Sequence, residues 1–295
     1  MLKKTDLVLP GRLPVTITRT YRTLGTNLGP FGLGTSHTYD VILRQDGDLR
    51  RLLLPGGARV AFPKQPDGTF RNLTDPAYRG AVLTEGGGGH SLRFKDGTVW
   101  TFGPPSFNVS FLIAQADRNG NQLIFTRTGP TGTLTTITDA VGRQVQFTYI
   151  NDRITEILDP LGRRVTYAYD NSGRLATVMD PEGGVTRYTY DAQGRMLTLT
   201  DARGLTFLTN EYDGAGRVSR QTQADGGLWQ FAYQTSSGVV TQTTVTDPRG
   251  HVTTGRFNGQ GYALNRTDGQ GQATQSLRDV ATNQVLATTD ALGRT

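Results

Sequence analysis

A turn recurs at nearly constant intervals over most of this 295-residue chain, and no other feature restricts the fold as much. Opening aspartates fall at Asp117 (DRNGN), Asp139 (DAVGR), Asp159 (DPLGR), Asp180 (DPEGG), Asp201 (DARGL), Asp225 (DGG), Asp247 (DPRGH), Asp268 (DGQGQ) and Asp290 (DALGR). The steps between them are 22, 20, 21, 21, 24, 22, 21 and 22 residues. Periods of roughly 20–50 residues mark arrays in which no unit buries its apolar face alone and each must stack on its neighbours.

One unit reads as a β-hairpin. Asp159–Asp191 holds two copies of the same layout: a D-P-x-G turn, a run ending in Tyr-Asp, a second turn x-x-G-R, and a short apolar return. In the first kind of turn, Asp159 can accept a backbone hydrogen bond, Pro160 pre-sets φ, Gly162 takes a positive φ, and Arg163 follows. Asp180, Pro181 and Gly183 repeat this pattern, as do Asp139, Gly142 and Arg143. The second kind follows the Tyr-Asp pairs, with Tyr169, Asp170, Gly173 and Arg174, then Tyr190, Asp191, Gly194 and Arg195, then Tyr212, Asp213, Gly216 and Arg217. Between turns, Val165, Tyr167 and Tyr169 alternate with Arg164, Thr166 and Ala168, a period of two that sets one group on one strand face.

The returning runs break this alternation. Leu134 and Ile137, Ile154 and Ile157, Leu175 and Val178, and Met196 and Leu199 are each three apart, which puts the two members on opposite faces of a regular strand. Either both faces are covered or a bulge re-aims one residue.

Composition narrows the function. Glycine, at 38 of 295 residues, is well above the usual ~7%, and the excess sits in the periodic turns, so the chain reads as hairpins and not as disorder. The net charge is +6, but Lys occurs only at 3, 4, 64 and 95, and no dense basic run exists. Arg143, Arg163, Arg174, Arg195, Arg217 and Arg294 share one post-Gly turn position and lie where a turn Asp can pair with them, which disfavours nucleic acid as the partner. Without cysteine there is neither a disulfide framework nor a cysteine metal site. No segment approaches ~18 apolar residues, and the N-terminus MLKKTDLVLPGRLP lacks the apolar core of a signal peptide.

Residues 1–110 lie outside the period yet still read as strands: Val15–Arg22, Thr38–Arg44, Leu49–Leu54, Ala58–Phe62, Ser91–Phe94 and Thr98–Phe102. Gly86–Gly89 and Gly25–Gly34 lack the Lys and the helix of a phosphate loop, and the first is expected to be a hairpin tip. The Pro-Pro of FGPPSF (Phe102–Phe107) marks the boundary. The expected fold is all-β: an N-terminal β-rich domain (1–110), then an array of β-hairpin repeats (111–295) forming a curved antiparallel sheet. His37, His90 and His251 sit in no metal-ligand spacing, and no carboxylate pair stands out, so no catalytic, cofactor or metal residue is assigned and an enzyme is not expected.

The D-P-x-G-R…Y-D-x-x-G-R unit resembles the YD repeat of Rhs proteins, also found in teneurins and in shell-forming subunits of insecticidal toxin complexes. The N-terminal LPGRLPVTITRTYRT…GPFGLGTSHTYD resembles the domain that precedes those repeats in bacterial Rhs proteins. The resemblance implies a partial shell: a sheet that spirals around a C-terminal toxin, with delivery often by type VI secretion. It implies as partners the rest of the shell and a toxin domain, in cis or as another chain, together with secretion-apparatus proteins. It implies a bacterial protein, cytoplasmic before export and secreted without a classical signal peptide. About nine repeats give roughly 18 strands and span only ~86 Å, too little to surround a domain of ordinary size, so further repeats or another chain are expected to complete the wall, and the last hairpin, opening at Asp290, is expected to be incomplete. The alternative class is a carbohydrate- or cell-surface-binding module. The two differ in the Tyr rings, which pack within a wall but face solvent in rows on a binding platform.

Overall fold

The computed structural model describes every residue except Thr26. It is 55% strand and 2% helix, and β6–β29, whose ranges follow, form an antiparallel sheet of 24 strands that is not closed into a barrel. Packing divides the chain into two compact units, Met1–Thr186 and Arg187–Thr295.

The first unit opens with β1 (Leu2–Leu9), β2 (Val15–Tyr21), β3 (Leu28–Gly29), β4 (Gly32–Leu33) and β5 (Thr35–His37). β1, β2 and β5 pair as a small antiparallel sheet, called the strap below. Leu7, Leu9, Val15 and Ile17 alternate along it and are buried. The strand expected over 38–44 is not continuous, because the Asp40 carboxylate accepts the His37 backbone N–H and the Asp40 N–H bonds the His37 carbonyl. This turn ends β5 before a new strand begins.

The next eight strands are β6 (Ile42–Asp46), β7 (Leu49–Leu53), β8 (Arg59–Pro63), β9 (Phe70–Arg71), β10 (Val82–Gly86), β11 (Gly89–Arg93), β12 (Val99–Phe102) and β13 (Val109–Ala116). Each pairs with the next, β8 reaching β9 through the Lys64–Phe70 bridge. β13 is shared. Its first half, Val109–Phe111, pairs back to β6, and Ala114–Ala116 pairs forward to the repeats, so the eight strands return on themselves where the array leaves them. Leu43, Leu52, Phe62, Phe70, Leu83, Leu92, Phe102 and Leu112 form the fully buried core of this section. The four-glycine stretch is the β10–β11 hairpin tip, with Gly87 and Gly88 at positive φ.

The repeats begin in the same unit with β14 (Gln122–Thr128), β15 (Thr133–Thr138), β16 (Gln144–Ile150), β17 (Arg153–Leu158), β18 (Arg164–Tyr169) and β19 (Leu175–Met179), and the division between the units falls within β20 (Val185–Tyr190). The three-residue apolar spacing is explained by a bulge in every return strand. Thr126 faces Thr136 while Arg127 faces Leu134, which leaves Thr135 as the extra residue; Thr155 and Ala176 take the same place in the next two hairpins. The extra residue cancels the odd spacing, so Leu134 and Ile137, and likewise Ile154 and Ile157, are buried on one face.

The second unit continues with β21 (Met196–Thr200), β22 (Thr206–Tyr212), β23 (Val218–Gln223), β24 (Leu228–Ser236), β25 (Val239–Thr246), β26 (Val252–Phe257), β27 (Ala263–Thr267), β28 (Ala273–Arg278) and β29 (Val285–Thr289). Here the apolar face thins out, and after Leu199 no hydrophobic side chain is buried among the described residues. Asn210 and Gln221 occupy the slots that Tyr188 and Leu199 fill one repeat earlier, and they bond to each other at 3.0 Å. The turn read at Asp225 opens two residues earlier, because the hydrogen bond that closes it runs from Gly226 N–H to the Gln223 carbonyl.

Candidate functional site

The chemistry of this chain is concentrated in its repeat turns and in what covers them. The Asp-x-x-Gly turns are closed in the same way: the Gly N–H donates to the Asp carbonyl, and the Asp N–H donates to the carbonyl of the residue after Gly, as in Gly162 to Asp159 at 3.1 Å and Asp159 to Arg163 at 3.0 Å. The Asp Oδ1 accepts two more backbone N–H groups, those of Leu161 and Arg163 at 2.9 Å each around Asp159. Its Oδ2 accepts the guanidinium of the fifth residue. Arg143–Asp139, Arg163–Asp159, Arg174–Asp170, Arg195–Asp191 and Arg217–Asp213 share this pair with Nε–Oδ2 distances of 2.6–2.8 Å. Gly142, Gly162, Gly173, Gly183, Gly194 and Gly216 all hold φ between 73° and 85°. Pro160 and Pro181 occupy the following turn position, where no donor is required.

Burial alone pushes the carboxyls of Asp139, Asp159, Asp170, Asp191 and Asp213 up, but hydrogen bonds from the turn and the adjacent guanidinium outweigh it and hold each below the usual carboxylate range. A carboxylate depressed in the folded state contributes stability that is present above its unfolded value, about 3.9, and is lost as pH falls through the folded one. The melting temperature is therefore expected to be flat across neutral pH in respect of these groups and to fall below about pH 4. Asp159→Asn, which keeps the Oδ1 acceptor but not the charge, is expected to flatten that acid limb. Thermal melts between pH 7 and pH 2.5 check both.

The recurrent Tyr serves the backbone. The Tyr149 hydroxyl donates to the Leu134 carbonyl at 2.9 Å, Tyr169 to Ile154 at 2.6 Å, Tyr212 to Met196, and Tyr233 to Val218 at 2.9 Å. Each of these carbonyls adjoins a bulged residue, which is the place where the ladder leaves an acceptor free. Arg127 and Arg278 fill the same slot and reach the same kind of acceptor, Leu112 and Ala263, through Nε. Guanidiniums cover the rings from one side, Arg195 at 4.6 Å from Tyr212 and Arg217 at 4.5 Å from Tyr233. Tyr190 is half-buried in the corresponding position. Tyr169→Phe removes one such bond, a cost of about 1 kcal/mol by the usual scale, and urea titration is expected to show it as a lower midpoint with unchanged slope.

In the first unit the strap lies across the buried face of the repeats. Phe31 is 4.9 Å from the Tyr167 ring, His37 stacks on Phe147 at 6.0 Å, and Tyr39 meets Phe125 at 4.8 Å. Two turn arginines reach its backbone, Arg143 to the Pro10 carbonyl and Arg163 to the Val8 carbonyl at 3.2 Å. The Pro30 carbonyl accepts the Ile154 N–H at 2.8 Å. Beneath it Asp6, Arg19 and Tyr167 form a buried cluster, with the Tyr167 hydroxyl donating to Asp6 at 2.9 Å. Sequence reasoning had no signal for this arrangement, because it is a contact between stretches some 160 residues apart.

The histidines are dispersed. His37 is held by Asp40 and by the Tyr39 N–H, His251 stands in for the turn Arg and bonds Asp247 at 2.9 Å, and His90 belongs to a polar cluster described below. Among the described residues no group of three His, Cys, Asp or Glu side chains is placed to hold a metal, and no helix is long and apolar enough to cross a membrane.

Antiparallel hairpins locked by Asp–Gly–Arg turns define a β-hairpin repeat protein. A family model described as RHS Repeat matches residues 151–185 and 172–206, and one described as a domain of unknown function, DUF6531, matches residues 1–62. Residues 151–206 thus carry RHS repeats, the YD-repeat pattern that the turns display. No curated protein matches the chain. Among solved structures it is similar to the Photorhabdus luminescens Tc holotoxin pore, at 12% identity and a TM-score of 0.43, over 82% of this chain and 16% of that one. It is also similar to a TcdB2-TccC3-Cdc42 structure (9%, 0.40, 82% and 16%) and to TcdB2-TccC3 without its hypervariable C-terminal region (11%, 0.38, 95% and 21%). The chain thus spans about a sixth to a fifth of the length of those chains.

Proposed function

We propose that this chain is a wall segment of an Rhs-type shell, structural and not enzymatic, which with further RHS repeats in cis or in another chain encloses a toxin domain. The observation that carries the reading is the use made of tyrosine. Tyr167 and Tyr188 are buried, and the Tyr149, Tyr169, Tyr212 and Tyr233 hydroxyls are bound to strand carbonyls, so the aromatic side chains hold hairpin to hairpin instead of standing in solvent-facing rows. A carbohydrate platform needs the opposite arrangement. The turn arginines are likewise committed to their aspartates, which argues against a basic nucleic-acid surface. On this reading the protein is bacterial and exported, by an apparatus such as type VI secretion.

The test joins a toxin-sized reporter to a protein in which this chain is followed by further RHS repeats, and measures how fast protease destroys the reporter. A shell predicts protection that disappears when Gly-to-Val changes break the repeat turns. A reporter cleaved as fast as the free domain, together with glycan-array binding by the chain, would replace the wall with a binding module.

A further inference from the structure

His90 sits in the core of the eight non-periodic strands at a point where two neighbours ask opposite things of one nitrogen. Its Nε2 is 3.2 Å from Glu85 Oε1 on β10, a carboxylate that can only accept, and 3.3 Å from the Gln45 side-chain nitrogen on β6, which can only donate. Its Nδ1 is 3.4 Å from the Ser110 hydroxyl on β13. The other charged neighbour is Arg50 on β7, which donates to Glu85 through Nε at 2.9 Å and lies 4.5 Å above the Phe70 ring of β9. Opposite His90, β12 offers Phe102. The imidazole, the Ser110 hydroxyl and the Arg50 guanidinium are all nearly sealed from solvent, with His90 4% exposed.

Gln45 and Ser110 belong to the two strands that close this section on itself. That seam is short, consisting of Val109–Arg44, Ser110–Leu43 and Phe111–Ile42, extended by the Gln45 N–H to the Asn108 carbonyl at 2.8 Å. We infer that His90 is a proton-operated clasp on the β6–β13 seam: neutral, it accepts from Gln45 and ties β6 to β13; protonated, it turns its Nε2–H to Glu85 and releases Gln45.

The electrostatics favour the neutral imidazole, which the clasped form requires, at neutral pH. Burial lowers the proton affinity of His90, the hydrogen bond and charge of Glu85 partly restore it, and Arg50 opposes a second cation. A histidine whose folded value lies below its unfolded one, about 6.5, contributes stability that is present above that pH and is lost as pH falls through the folded value. Acid therefore loosens the seam first, where the array departs from β13.

Hydrogen exchange on the full chain, corrected for intrinsic chemical rates, tests this at pH 7.5 and pH 5.5. Seam peptides containing Leu43–Gln45 and Val109–Phe111 are expected to exchange at least about fivefold faster at the lower pH relative to peptides from β16–β18. His90→Gln is expected to abolish the difference. If that variant does not fold, Gln45→Met decides: its seam is expected to exchange at pH 7.5 as the natural chain does at pH 5.5, with little further response to acid. A seam unmoved by acid in the natural chain, or a full acid response retained in either variant, overturns the inference.

Discussion

Asp6→Ala is expected to destabilise the first unit by about 3–5 kcal/mol, the scale for removing one partner of a buried ion pair. Asp6 is the bulged residue of the β1–β2 ladder, the one between the Thr5–Thr18 and Leu7–Ile17 pairs, and the bulge turns its carboxylate inward. There it meets the Arg19 guanidinium, and the two side chains are 2% and 7% exposed. Arg19 lies 5.8 Å from the Phe31 ring and 5.7 Å from the Tyr167 ring, so the variant removes from one cluster both the carboxylate that the guanidinium holds and the acceptor of the Tyr167 hydroxyl. At roughly 2–4 °C per kcal/mol, the melting temperature should drop by about 10 °C. Asp6→Ala/Arg19→Leu should recover part of the loss, because the buried guanidinium leaves together with the carboxylate it held. A drop of only a degree or two in the single variant would place the pair among weak surface contacts.

The second large effect is expected from Phe31→Ala, about 3–5 kcal/mol. Phe31 is fully buried and wedged between Tyr167 and the edge of His37, 6.4 Å away, so its loss leaves a cavity between strap and repeats. Backbone on both sides is fixed, by the Ile154 N–H to Pro30 and by Gly32, which at φ 100° runs so close to the Gly173 carbonyl that a Cβ would lie 2.8 Å from that oxygen. The site cannot collapse to fill the void, which is the condition for the upper end of that range. Urea unfolding followed by Tyr fluorescence measures it, and Phe31→Leu should cost well under half as much. For comparison, Gly173→Val, which forces a β-branched residue to φ 73° against the Arg153 side chain, should cost of order 1–3 kcal/mol, whereas Thr177→Ala on the strand surface should fall within about 0.5.

The repeat was legible because its determinants are local. Asp, Gly and Arg at fixed offsets close a turn by themselves, so Asp159–Arg163 and Asp170–Arg174 could be assigned from spacing alone. The bulge was visible only as an inconsistency in Ile154 and Ile157, and pairing was needed to show that Thr155 resolves it. The Gln223 turn was misplaced by two residues because Asp225-Gly226 is itself a turn signal, although Asp225 there serves the Gly227 N–H instead of opening the turn. The strap was not legible at all. Leu7, Leu9, Val15 and Ile17 alternate as any half-buried strand does, and nothing in that pattern says that Phe31, His37 and Tyr39 nearby meet Tyr167, Phe147 and Phe125 of the repeats. The thinning of the second unit could have been anticipated, since Asn210 and Gln221 replace apolar residues at countable repeat positions.

The wall reading depends on where the tyrosines point, and hydroxyl-radical footprinting with mass spectrometry measures that residue by residue on the intact chain. Tyr167 and Tyr188 should be the least modified, Tyr149, Tyr169, Tyr212 and Tyr233 only weakly modified, and Phe107, 93% exposed at its turn, the most reactive aromatic. Repeat tyrosines labelled as strongly as Phe107 would mean that the rings stand out in rows, and would contradict a wall held together by them.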